Sequence, residues 1–218
     1  MAILNKKFGI KEVADVAFYV VGDVKVDAET GELTFIQQAN STRTGPVLTF
    51  DTLKVSNLEF TGETTEARGG KGNSVLMAWD HSREATLTLE DALLTVDGLN
   101  AMLSSGAIVS DTNSDIITVT ANGFPGTYTV VGKTYARDAD GTDHIFTFVI
   151  WKAKVSAETT FTMEADGDPS TLNMSLKVLR ADTDASIGSV AGEMVKLIID
   201  KQVAGTTTPT IVFPKKAG

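Results

Sequence analysis

Apolar and polar residues alternate without a break over Glu84–Glu90 (EATLTLE), with Ala85, Leu87 and Leu89 on one side and Thr86, Thr88 and Glu90 on the other. A period of two sends successive side chains to opposite faces, so this stretch predicts a half-buried strand. Val13–Val21 and Leu33–Ile36 predict strands on either side of a turn-forming segment, Asp27–Glu32, and Val47–Leu58 is another β-branched run. Beyond Ile116 strand patterns return in ITVTA, in TYTVV from Thr127, and in HIFTFVIWKAKV from His144, whose middle is apolar on both sides and predicts burial on both faces. Thr160–Ala165 and Thr171–Val178 form an expected hairpin about Asp166–Ser170, and Met194–Ile199 and Thr210–Phe213 are the expected last strands. Helical spacing is found in Thr95–Leu103, where Val96, Leu99, Met102 and Leu103 share a face, Thr95 or Asp97 can cap, and Gly106 is a stop. The expected fold is mainly β: a sandwich or barrel of two packed antiparallel sheets with one flanking α-helix.

One segment breaks this pattern. Arg68-Gly69-Gly70-Lys71-Gly72-Asn73 is basic and glycine-dense, and it stands directly before the apolar run Val75–Trp79. A flexible loop is its expected state, with Val47–Leu58 as the approach to it.

The chain has 218 residues, 42% of them hydrophobic, with no linker composition; a single domain over 1–218 is expected. The N-terminal MAILNKKFGI lacks the apolar stretch and cleavage site of a secretory signal, and no apolar run reaches the length of a membrane span, so synthesis in the cytoplasm and no membrane partner are expected. The lack of cysteine excludes disulfides and thiolate chemistry. The net charge is -9, and Glu84, Glu90, Asp91, Asp97, Asp111 and Asp115 fall in a stretch between Arg83 and Lys133 that has no Lys or Arg. That balance argues against gripping phosphates, although an acidic surface can face DNA where the task is to avoid adhesion. Simple solubility is the plainer reading of the same charges.

No motif rises to an active site. Gly132-Lys133-Thr134 imitates the end of a phosphate loop, but Thr127 occupies the place of its first glycine and no helix start follows. Asp80-His81 and Asp143-His144 suggest a metal or acid–base pair, yet they are far apart and show no short His–His spacing. No G-x-S-x-G elbow is present. The expectation is a non-enzyme with no cofactor, metal or catalytic residue.

Lys11–Tyr19 (KEVADVAFY), Phe50–Phe60 (FDTLKVSNLEF), Ala67–Thr95 (ARGGKGNSVLMAWDHSREATLTLEDALLT), Leu99–Ala107 and Phe161–Leu179 together resemble bacteriophage tail tube, or major tail, proteins of phages and prophages of Gram-positive bacteria. The resemblance implies a virion protein made in the host cytoplasm, six copies closing into a ring, and rings stacking into a hollow tube. It implies a tape-measure protein and then genomic DNA in the channel, terminator and baseplate proteins at the ends, and a sheath if the tail contracts. It also implies a long hairpin or loop excursion over residues 47–74, with Arg68–Asn73 reaching a neighbouring subunit, where Arg68 and Lys71 meet acidic groups and glycine allows close backbone approach. The six carboxylates become candidate channel or interface residues. A baseplate or tail-completion ring protein, or a carbohydrate- or surface-binding β-sandwich, are the alternatives.

Overall fold

The structure, a computed structural model, describes residues 7–27, 29–36, 43–103, 106–156, 171–181, 192–200 and 211–215. The strands are β1 (Phe8–Ile10), β2 (Asp15–Val20), β3 (Val24–Val26), β4 (Leu33–Phe35), β5 (Leu48–Phe50), β6 (Leu53–Gly69) and β7 (Ser74–Asp91). The helix α1 (Val96–Leu103) follows, then β8 (Val109–Ser110), β9 (Asp115–Ile116), β10 (Thr127–Asp138), β11 (Asp143–Val155), β12 (Leu172–Leu179) and β13 (Val195–Ile199).

Nine strands form one antiparallel sheet in the order β5-β2-β10-β11-β12-β7-β6, with β1 also on β10 and β13 also on β11; β3–β4 and β8–β9 are separate two-stranded sheets. The mainly β expectation with one flanking helix holds. The core is enclosed by one continuous sheet that turns over on itself, and among the described residues it does not close into a barrel. The turn is made at β11, which pairs with β13 through Phe146–Ile150 and with β12 through Lys152–Val155. Between these stretches the β10–β11 register shifts: Val130 faces Ile150 and Tyr128 faces Ala153, so β11 carries one extra residue. Such a bulge twists the strand and re-aims its side chains, here where one neighbour gives way to another.

The main core lies between the two arms of the folded sheet, where Val16, Phe18, Phe50, Val130, Phe148 and Ile150 meet Leu87, Leu89, Met174 and Leu176. On the other face of β2, β10 and β11, Ala17, Tyr19, Val131, Val149 and Trp151 are covered by the β3–β4 hairpin together with Ile198 and Phe213. The predicted two-sided burial of HIFTFVIWKAKV is therefore present.

The helix starts where Thr95 Oγ1 accepts the Gly98 N–H at 3.1 Å, satisfying one of the donors left open at a helix start. Gly98, Ala101 and Met102 face the core. Two expected strands are absent. Of the run beyond Ile116, only Asp115–Ile116 are in a strand, and Val119 is 58% exposed; alternation that pairs with no edge among the described residues leaves a loop. Residues 211–215 form no strand either: Pro214 lacks a backbone donor, and the segment crosses β2 and β10 through Tyr19 Oη donating to Pro214 O (3.1 Å) and Lys133 Nζ donating to Val212 O (2.6 Å). The expected partner strand Thr160–Ala165 and its turn lie outside the described residues, whereas Leu172–Leu179 forms β12.

Candidate functional site

The strands β6 and β7 pair from Leu53/Asp91 to Gly69/Ser74, while β12 pairs with β7 only from Thr86 to Asp91. The nine residues Thr61–Gly69 therefore lie beyond the last rung shared with β12, and at ~3.3 Å per residue they carry a two-stranded arm about 30 Å outward. Its return strand runs on, within β7, into the alternating stretch Glu84–Glu90.

At the tip, Gly70, Lys71, Gly72 and Asn73 make the turn, with φ of +77°, +93° and +50° at Gly70, Gly72 and Asn73. Glycine takes that left-handed region at no steric cost, and Asn tolerates it better than most. Within one copy no other atom lies within 4 Å of a Cβ built on Gly70 or Gly72, so inside the chain it is backbone geometry that demands these glycines. The glycine-dense segment is thus the turn of a hairpin.

Arg68 is already engaged: its Nε donates to Glu66 Oε2 at 3.0 Å on its own strand. Lys71 has no ion pair among the described residues. Glu63 and His81 approach to 3.3 Å, and the Thr64 hydroxyl donates to Asp80 Oδ1 at 2.6 Å.

The faces of the arm are set by a second bulge. Thr61 faces Glu84 and Glu63 faces His81, so Gly62 stands against Ser82 and Arg83, and Ser82 adopts φ +55°. An extra residue reverses side-chain parity. Inside the bulge Phe60 pairs with Ala85 on the core face; outside it that face continues as Thr64, Glu66, Ala78 and Asp80. The opposite face carries Thr65, Ala67, Met77 and Trp79. Met77 is 64% exposed and Trp79 49%.

Where the arm leaves the body, β6 and the β1–β10–β11–β13 layer stand apart around an apolar groove of about 330 Å³. Ile10, Val13, Phe60 and Leu197 line it and are all exposed. Glu12 is at its rim; Glu12 and Asp51 repel the Asp15 carboxylate, whose pKa is raised by burial first and by those charges next.

The six acidic candidates lie on three separate elements. Glu84 is exposed and 3.2 Å from Lys177 Nζ, while Asp91 is buried and accepts a hydrogen bond from Thr52 Oγ1. Asp97 sits in the first turn of the helix, and Asp111 caps its own loop through the N–H groups of Asn113 and Ser114. Asp115 accepts from Ser110 Oγ, and Glu90 faces Asn173. The two histidines stay apart: His81 is on the arm, and buried His144 lies 3.2 Å from Asp138 Oδ2 and 3.1 Å from the Asp200 carbonyl. Among the described residues no group of three His, Asp or Glu is arranged to hold a metal. Gly132-Lys133-Thr134 lies mid-strand in β10, where Gly132 faces Phe148, Lys133 reaches the 211–215 segment and Thr134 Oγ1 donates to Glu12 O at 2.7 Å. Sequence reasoning missed the bulge at Ser82–Arg83 and the groove, since neither has a local signature.

The chain is thus an acidic β-sheet protein whose longest strand pair extends as an arm beyond the sheet that carries it. The YomU/Tube protein family matches it over residues 28–114 and 108–192, and the chain belongs to that family. This agrees with the tail tube resemblance of its sequence. No curated protein matches it.

Proposed function

We propose that the protein is a non-enzymatic tail tube subunit of a phage virion, six copies closing into a ring and rings stacking into a hollow tube for genome delivery. The observation that carries this reading is the arm: about 30 Å of paired strand that, among the described residues, joins no third strand beyond the last rung with β12. An isolated two-stranded ribbon is marginal in water, and one that presents Met77 and Trp79 to solvent gains stability only from a neighbour. Among the described residues nothing pairs with the outer edges of β5 and β6, and edges left open in one copy are met by those of the next when a ring closes.

In this reading the arm spans to the adjacent ring with Arg68–Asn73 at the contact, and exposed carboxylates such as Glu84, Asp111 and Asp115 keep the channel from binding the DNA that slides through it. A tape-measure protein fills the bore first, and terminator, baseplate and, in a contractile tail, sheath proteins contact the tube. Negative-stain microscopy of the purified protein tests it. Hollow filaments of uniform bore are expected; single rings that never stack point to a baseplate or tail-completion component, and a monomer that binds glycans to a surface-binding module.

A further inference from the structure

We propose that the apolar face of the arm, Met77 and Trp79, seats in the open groove between β6 and the β1–β13 side of a second copy of this chain. The proposal rests on the tube reading and names the receiving surface. Self-docking is ruled out by the bulge at Ser82–Arg83: Phe60, in the groove wall, and Trp79 point from opposite faces of the same ribbon. The groove has an apolar lining that a single chain leaves open at Ile10, Val13, Phe60 and Leu197. Its size is at the lower end of spaces that bind a compact apolar group, which suits one indole with a thioether beside it.

The two tryptophans make the contact readable, because Trp151 is 1% exposed and already dry, whereas Trp79 is half exposed. Association should shift tryptophan emission to the blue, and Trp79→Phe should remove the shift. Trp79→Glu on the arm and Val13→Glu in the groove should each weaken association at least tenfold, with Ile10→Glu as a second groove variant on the short, exposed β1. Thr64→Glu, on the polar face, should leave association unchanged. Mixing Trp79→Glu with Val13→Glu should yield pairs by sedimentation that do not extend, since one arm and one groove remain intact. Tubes that form with unshifted emission, or that form normally from both groove variants, overturn this docking while the tube reading stands. A wild-type chain that stays monomeric at every concentration overturns both.

Discussion

Gly132 and Phe148 face each other across the β10–β11 pair, and a Cβ placed on Gly132 would lie 2.1 Å from Phe148 Cζ. The phenyl ring occupies the space that any other residue would need at this position, which accounts for a glycine in the middle of a central strand.

Gly132→Ala should therefore destabilise the fold by roughly 3 kcal/mol, the upper end for overpacking a core. Urea denaturation measures it, and Gly132→Ala with Phe148→Leu should recover part of the loss, as expected for two residues in contact. An additive double mutant would refute the pairing.

Asp23 is 1% exposed and neither carboxylate oxygen has a hydrogen-bond partner among the described residues. Burial raises its pKa above the ordinary 3.8, and the Arg43 charge opposes that shift. A carboxyl raised on folding contributes stability that is fully present below the unfolded value and lost as pH rises through the folded one. Asp23→Asn should thus be more stable than wild type at pH 7 by about 1–2 kcal/mol, and the gap should close below about pH 4. Paired melts at neutral and acid pH decide it; a gap independent of pH would mean that another interaction is responsible.

Replacing residues 62–83 with Asn-Gly, which joins the register partners Thr61 and Glu84, removes an arm outside both cores. Cooperative melting should persist with Tm within about 4 °C of wild type, corresponding to roughly 1 kcal/mol for a chain of this size. Filaments should vanish from micrographs. A collapse of the melt would show that the arm supports the body.

Arg68→Glu with Lys71→Glu should stop rings from stacking while unfolding stays cooperative. The Arg68–Glu66 pair is exposed, and such pairs contribute at most about 1 kcal/mol. Lys71→Glu alone should carry most of the effect, because Arg68 is already partly neutralised at home. Stacking rates at two salt concentrations provide the measurement, and unaltered polymerisation would remove the role assigned to the turn.

Much of the body could be read from alternation and spacing. EATLTLE, the two-sided run from His144 and the helix at Val96–Leu103 fall where period and caps place them. The extent and the facing of the arm were not legible. Residues 75, 77 and 79 continue the odd-numbered series of 85, 87 and 89, so a straight strand would put Trp79 beside the core; the displacement hangs on Ser82, a non-glycine residue at positive φ that no composition rule marks. The opposite error occurred beyond Ile116, where a sound alternating pattern joins no edge among the described residues. Local chemistry specifies what a strand can do, and long-range pairing decides whether it does.

The two margins of the main sheet are unlike, a three-residue strand at Leu48–Phe50 and a seventeen-residue one at Leu53–Gly69. A two-fold couple would join like border to like and stop at two copies; joining short to long leaves one border of each kind open on the growing assembly, so that addition can continue. In the tube we propose, joining of that second kind gives every copy the same sense, and the assembly a front and a back.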